Sequence, residues 1–434
     1  MISKEVIIYL TIYIGLFTLA YYALSLFSRK QEEEKAAPSK LPFVSIIIPA
    51  YNEEKTIFQT IKSAYNLDYP KDKLEIIVVD DGSKDKTYKI ASSFKSPATR
   101  VFTKENGGKA SALNLGIKHA KGEIIVTMDA DTYASDDALK KMVAYFSAKE
   151  VMCVSPSPTV YKPRGVLQRL QQVEYFLGVF LRKSFASMNA IHITPGAFSA
   201  YRKKFFEKHG LFEVGNITED LEMALRIQAN HYRIQYVPDA VIYTHSPETF
   251  FSLLKQRRRW YSGLIKNLWN YKRLFSREYG ELGMIVLPTA AVTIILSVTL
   301  TAWFLIDSLL RLKKEILLLK SINFSFSDFF NFNKFFLERM YINFFGRPYA
   351  IFFLIFIGLT VGYLVFAKKN IKKDIPVAVS FPIYLALYAV LFSFWWIVSI
   401  SYVLLNKKVV WLSLIHISEP TRLLSISYAV FCLK

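Results

Sequence analysis

The chain has 434 residues, 52% of them hydrophobic and 15% aromatic, with 55 Lys and Arg against 35 Asp and Glu, a net charge of +20. Its mean hydropathy of +0.24 argues against a purely soluble protein and for a soluble domain joined to membrane spans. Cys153 and Cys432 are the only cysteines, which excludes a disulfide framework and a cysteine metal site.

Residues 6–27 carry no charge and are long enough to cross a bilayer. The run exceeds a signal-peptide core and ends in no small-residue cleavage site, so residues 1–28 read as an uncleaved anchor. Arg29, Lys30, Lys35 and Lys40 follow it, against Lys4 before it. The positive-inside bias therefore places the amino terminus outside and the next domain in the cytoplasm, and the plasma membrane is the expected location. Residues 29–42, acidic and then Ala/Pro/Ser-rich, read as a linker.

From Val44 the pattern alternates. Strand signals at 44–48, 75–79, 100–103, 123–128 and 151–155 are separated by helical periodicity at 53–66, 85–94, 109–120 and 136–148. Repeated βαβ units predict an α/β domain, 43–248, built on a mostly parallel, doubly wound sheet. Apolar positions at helical spacing continue over 166–186, which fits either core packing or an interface. A segment at 249–281 mixes aromatics with Arg257, Arg258, Arg259 and Lys266, as suits a helix lying in the membrane interface. The region 282–412 holds about three further spans, at 283–306, 349–367 and 376–405. Residues 413–434 resemble a translated sequencing adapter and are set aside as a non-native tail.

Six stretches carry chemistry. The apolar run Glu123–Met128 drives into Asp129-Ala130-Asp131, two carboxylates at a strand's carboxyl end that could hold a divalent cation or form a solvated acidic turn. Pro49–Glu54 and Asp80-Asp81-Gly82-Ser83 follow the first two strands, where acids accept hydrogen bonds from a base or ribose. Ser83 or Asp85 could equally cap the next helix. Asn106-Gly107-Gly108-Lys109 opens a helix with backbone N–H groups and a cation suited to phosphate, though without P-loop spacing. Thr218-Glu219-Asp220 opens another, with Thr218 as an N-cap and Asp220 as a candidate general base. Gln256-Arg257-Arg258-Arg259-Trp260 joins forked guanidinium groups to a flat indole.

Asp80-Asp81-Gly82-Ser83, Asp129-Ala130-Asp131, Thr218-Glu219-Asp220 and Gln256–Trp260 occur in the order and approximate spacing of the processive family 2 glycosyltransferases. That group includes cellulose, chitin, hyaluronan and poly-N-acetylglucosamine synthases. The resemblance covers roughly residues 42–275, and the combination is far more specific than any one motif. It implies a GT-A-type nucleotide-sugar domain flanked by transmembrane helices. It also implies a UDP-sugar donor, UDP-N-acetylglucosamine before UDP-glucose, and a glycan or lipid-linked acceptor. By it, Asp80 and Asp81 contact uridine and Lys109 lies near the nucleotide. Asp129 and Asp131 engage the diphosphate, Asp131 being the better ligand for Mg²⁺ or Mn²⁺. Asp220 is the base, Arg259 holds the diphosphate, and Glu219, Gln256 and Trp260 line the acceptor end. Thr194–Ser199 resembles the loop beside the acceptor. Membrane lipids are implied partners, an export or accessory subunit a further one, and nucleic acid is not. A glycolipid synthase adding one sugar and a non-catalytic membrane protein that binds nucleotide-sugar or glycan are the alternatives.

Overall fold

The computed structural model describes residues 4–28, 41–321, 346, 349–371, 377 and 379–405. The expected non-native tail, and Lys30, Lys35 and Lys40 of the linker, lie outside them. Eight strands form one sheet: β1 (Val44–Ala50), β2 (Leu74–Asp80), β3 (Thr99–Thr103), β4 (Ile124–Thr127), β5 (Thr132–Ala134), β6 (Val151–Val160), β7 (Ser199–Arg202) and β8 (Arg233–Thr244). Their spatial order is β3-β2-β1-β4-β7-β6-β8-β5.

All seven residues of β1 and all seven of β2 are buried, because helices cover both faces of the sheet, and this explains their unbroken apolar runs. On one face lie α2 (Ile57–Tyr65), α3 (Thr87–Ser93) and α5 (Ala138–Val143), with Ile57, Ile61, Leu139 and Met142 in the core. The other face packs on α4 (Lys109–His119), α6 (Val166–Ser187), α7 (Lys203–His209) and α8 (Glu219–Ala229), through Leu113, Phe176, Phe205 and Ala224. β3, β2, β1 and β4 pair in parallel, Ala50 level with Asp80 and Ile47 with Thr127. Their carboxyl ends therefore share one edge, where the first acidic motifs follow.

Beyond β4 the sheet is mixed. β7 runs antiparallel to both β4 and β6, β8 runs parallel to β6, and β5 antiparallel to β8. Only Met128–Asp131 separate β4 from β5, yet three strands stand between them. A flat sheet would place those strands about 19 Å apart, more than the five residue steps from β4 to β5 cover even when fully extended, about 18 Å. The segment is not extended, since Thr132 N–H donates to the Asp129 carbonyl at 3.0 Å. The sheet must curl into a half-barrel, and Asp129-Ala130-Asp131 is the strap across its open side.

Four long apolar helices flank this domain: α1 (Lys4–Ser28), α10 (Leu287–Ser321), α11 (Tyr349–Ile371) and α12 (Ser380–Leu404). Val6–Leu26, Leu282–Lys314 and Ala350–Ile371 are each long and apolar enough to cross a membrane, and α12, bent by 43° between Tyr388 and Val390, is a fourth if its two parts make one span and not a re-entrant loop. Hydroxyls join them, as is usual where apolar packing alone gives little preference between helix and lipid. Tyr363 Oη donates to the Leu19 carbonyl at 2.5 Å, and Ser297 and Ser393 hydroxyls lie 2.9 Å apart. Ser184 of α6 donates to the Tyr22 carbonyl of α1 at 3.0 Å. The 166–186 stripe is thus core: α6 packs between the sheet and the spans. Its buried Gln168, Gln171 and Gln172 bond to the backbone at Ser246, Pro247 and Val160.

The 249–281 segment forms α9 (Phe250–Asn270), closed at its start by a Thr249–Ser252 capping box. It lies along α12, with Tyr261 stacked on Trp396 at 4.5 Å, and leaves Phe251 and Trp269 exposed.

Candidate functional site

Asp129, Lys109, Glu219 and Asp220 converge at the open side of the half-barrel. Lys109 Nζ lies 2.7 Å from Asp129 Oδ1 and 3.0 Å from Glu219 Oε1, joining the strap after β4 to the start of α8. Gly196 fits between: a Cβ there would lie 2.8 Å from both Lys109 Nζ and Asp220 Oδ2. No larger residue could let the backbone approach so closely. The 194–199 loop is fixed by its neighbours, Thr194 Oγ1 donating to the Asp220 carbonyl at 3.1 Å and Thr127 Oγ1 to the Gly196 carbonyl at 3.1 Å. The loop expected beside the acceptor therefore borders both carboxylate groups.

Electrostatics separate the two acidic centres. Burial pushes the Asp131 carboxyl up to about 8, with Asp129 and Glu53 adding repulsion and Lys109 opposing. Asp220 is raised to about 6, first by burial and then by Glu219, while Lys109, Arg259 and the Leu221 N–H hold it down. Burial disfavours the Lys109 charge, but Asp129, Glu219 and Asp220 outweigh it and hold the ammonium well above its ordinary range. Lys109, expected near the nucleotide, is the cation that ties both centres together.

Among the described residues no group of three or more His, Cys, Asp or Glu side chains is arranged to hold a metal ion. The donor set nonetheless suits one. Mg²⁺ commonly takes one or two carboxylates and fills its shell with substrate phosphate and water. The repulsion that raises Asp131 is what a cation there would relieve, whereas Asp129 already has Lys109 as a partner.

Asp81 is enclosed. Its Oδ1 accepts from Lys104 Nζ at 2.8 Å and Gly107 N–H at 3.0 Å, and its Oδ2 from Gly108 N–H at 2.7 Å. The carboxylate thereby shapes the loop into α4 and sets the position of Lys109. Asp80 Oδ2 accepts from Thr103 Oγ1 at 3.0 Å, while its buried Oδ1 has no partner among the described residues. Ser83 makes no cap, its Oγ accepting instead from Asn52 N–H at 2.9 Å, whereas the Asp85 carboxylate does accept from the N–H of Thr87, the first residue of α3, at 2.9 Å, and also from Glu54 N–H. These residues bind the loop after β1 to the loop after β2.

Thr218 precedes α8 but makes no side-chain cap. Its Oγ1 instead accepts from Asn267 Nδ2 of α9 at 3.0 Å, and a Cβ on Gly263 would lie 2.2 Å from it. This tight crossing sets Asp220 against Arg259, close enough for Arg259 to lower the Asp220 carboxyl. The middle arginines do other work. Arg257, 2% exposed, lies 2.5 Å from Glu174 of α6, with its guanidinium 4.4 Å from the Trp260 ring centroid and 5.7 Å from that of Trp395. Arg258 lies over Tyr402 at 4.3 Å. One face of Trp260 is thus taken by Arg257, and Gln256 Oε1 is buried with no partner among the described residues. Glu174, Gly263 and Asn267 escaped sequence reasoning. Each acts through a contact more than forty residues away, and only the place of Gly263 and Asn267 on the helix carrying the arginines could have singled them out.

Residues 45–210 match the profile of Glycosyl transferase family 2. The poly-beta-1,6-N-acetyl-D-glucosamine synthase of Staphylococcus epidermidis is 32% identical over 245 residues, 54% of this chain and 59% of that protein. The enzyme of the same name from Staphylococcus aureus strain COL is 32% identical over 229 residues, 52% of this chain and 55% of that one. The chain therefore spans less than two thirds of the length of these relatives. The mannosyltransferase PcManGT of Pyrobaculum calidifontis, solved with GDP-Man and Mn²⁺, superposes with a TM-score of 0.54 at 26% identity, over 71% of this chain and 92% of that one.

Proposed function

This chain carries a family 2 glycosyltransferase domain, and we propose that it is a membrane-embedded inverting enzyme. It moves a sugar from a UDP-sugar, UDP-N-acetylglucosamine first, to a growing β-linked polysaccharide. The observation that carries this reading is the Lys109 bridge from Asp129 to Glu219, with Asp220 against Gly196. Diphosphate-binding and proton-accepting groups then share one cleft, as a single displacement requires.

Asp220 takes the proton from the acceptor hydroxyl, and that oxygen attacks the anomeric carbon from the face opposite the leaving group. The bond from C1 to the diphosphate oxygen breaks, the electron pair leaves with UDP, and the configuration inverts. Asp220 suits a base at neutral pH, its carboxyl being raised to about 6 yet still ionised. Arg259 faces the departing diphosphate and offsets its growing charge. Asp129 and Asp131 would hold Mg²⁺ or Mn²⁺, which supplies further charge compensation when bound. Asp80 and Asp81 shape the uridine end, and Glu219, Gln256 and Trp260 border the acceptor.

The layout follows the same reading: anchor 1–28, cytoplasmic domain 43–248, interfacial segment 249–281 and membrane region 282–412. Its support is the end of α11, where Ala367 and Ile371 sit in the domain's own core beside Lys368 and Lys369. That basic end lies on the domain's side, as a cytoplasmic domain requires. An accessory subunit for export would complete the system.

The test is incubation of membranes containing the full chain with a panel of nucleotide-sugars, with and without Mn²⁺ or Mg²⁺, followed by sizing of the product. Polymer from UDP-N-acetylglucosamine is expected. A lipid carrying one sugar would replace polymerisation with glycolipid synthesis, and binding without transfer from any donor would overturn the enzymatic reading.

A further inference from the structure

A cavity of about 760 Å³ opens at the seam between α1, α6, α11 and the glycosyltransferase domain, within the roughly 300–1,000 Å³ usual for small-molecule sites. It follows α11 from Gly358 to Asn370, about 18 Å at 1.5 Å per residue. One leaflet of hydrocarbon is about 15 Å deep. Its lining changes along that length. Gly358, Leu359 and Gly362 of α11 and Leu26 of α1 form an apolar part, while Lys369 and Asn370 stand at the domain's end of α11. Lys183 of α6, only 8% exposed, also lines it.

Two details say what kind of space this is. A Cβ on Gly358 or on Gly362 would meet no atom within 4 Å. Glycines spaced by four usually mark close contact between membrane helices, but here they open onto the cavity. Among the described residues Asp239 is the one acid in the lining, and its carboxylate lies 3.5 Å from Lys141 Nζ, which offsets its charge. An apolar groove one leaflet deep, with cations toward the domain, matches an anionic amphiphile.

We propose that this seam binds one anionic glycerophospholipid of the leaflet facing the domain. The acyl chains lie along Gly358–Gly362, and the headgroup phosphate sits between Lys183 and Lys369. Basic pockets between membrane helices are suited to such headgroups. The lipid would act as a structural wedge that sets α11 and α1 against α6, the helix that carries Glu174. The proposal rests on the membrane-embedded reading above, but not on the donor, the metal or the base.

The experiment reconstitutes the full chain in nanodiscs of phosphatidylcholine, alone or mixed with phosphatidylglycerol, and identifies retained lipid by native mass spectrometry. One phosphatidylglycerol per chain is expected, preferred over phosphatidylcholine by roughly 30-fold, the effect of two lysines near a headgroup. Gly358→Leu with Gly362→Leu fills the groove without a first-atom clash and should abolish retention of either lipid. Lys183→Gln with Lys369→Gln should erase the preference while still retaining phosphatidylcholine. Equal retention of both lipids by the unmodified chain would overturn the proposal. So would undiminished retention in the leucine variant, or a second copy of the chain on this face in place of lipid. A chain that fails to enter nanodiscs would overturn the membrane reading, and the site with it.

Discussion

The two halves of the sheet position their functional groups by different means. From β3 to β4, the acids follow parallel strands whose register places them along one edge, and side-chain bonds between successive loops hold them there. From β7 to β5, the strands run in both directions, and Asp220, Arg259 and Trp260 sit on α8 and α9, not at strand ends. Their placement depends on Gly263 and Asn267 meeting Thr218, on Glu174 meeting Arg257, and on α9 lying along α12. On the proposed reading the first half holds the donor and the second borders the acceptor, so the donor half is organised within the domain. The acceptor half is organised by its junction with the apolar helices, so damage to that junction should slow transfer before it weakens donor binding.

Asp220→Asn gives the sharpest separation of the halves. It preserves size and the hydrogen-bond acceptor for Leu221 N–H but removes the proposed base, so transfer should fall by about 10³-fold. Nucleotide-sugar binding, measured by calorimetry on the same preparation, should stay near its original value. Near-normal turnover would remove Asp220 from the base role. Asp131→Ala breaks the other half, and here binding and rate should fall together. About 100-fold is expected, nearly 3 kcal/mol of lost charge compensation. The response to added Mn²⁺ should flatten, and an unchanged metal titration would count against Asp131 as the ligand.

Lys109 joins the halves, so its loss should register in both. With Asp220 near 6, the base is protonated as pH falls through that value, and the transfer rate should drop about tenfold per unit below it. Lys109→Met removes a cation that lowers both Asp220 and Asp131. Both carboxyls then rise, and the acid limb of the pH–rate profile should move up by about one unit. At pH 6 that shift is a loss of several-fold, which shrinks toward pH 8. A uniform loss at every pH would mean that Lys109 acts only in folding.

The contrast between halves also explains what could be read from sequence. β1, β2 and β4 announce themselves because burial on both faces demands apolar, β-branched runs ending where the acids begin. β7 is four residues, Ser199-Ala200-Tyr201-Arg202, and β8 is broken by Pro238-Asp239 opposite an irregularity between Ser155 and Ser157. Neither pattern carries a clean period. Burial of Arg257 was illegible for another reason. In a run of three arginines beside aromatics the local signal is a wet interfacial face, and the partner that draws one of them inward, Glu174, stands 83 residues earlier. Asp129, Asp131, Asp220 and Arg259 were legible as motif residues. The connection of the three aspartates through Lys109 was not, because it depends on how far the sheet curls.

Gly263→Ala tests the junction directly. The added methyl would overlap Thr218 Oγ1, and α9 must shift or rotate to accept it at a cost of about 1–3 kcal/mol. Transfer should fall several-fold, and by more than donor affinity, because Trp260 and Arg259 move relative to Asp220 while Asp129 and Asp131 stay in place and Arg259 is one diphosphate contact among several. Equal losses in both measurements would mean that the halves do not separate at Thr218.

The smallest effect should come from Lys104, at the outer rim of the donor half. Lys104 is one of three donors on the Asp81 carboxylate, and Gly107 and Gly108 remain when it is removed. Lys104→Met should therefore leave the loop in place and weaken donor binding by only about 1 kcal/mol, as for a partly exposed ion pair. The catalytic rate at saturating donor should not change. The outcome decides how the donor half is held. If the loss is small, the backbone N–H groups are sufficient to hold the loop and Lys109 behind it. If transfer collapses with binding, Lys104 holds that loop, and the donor half depends on a side-chain contact just as the acceptor half does.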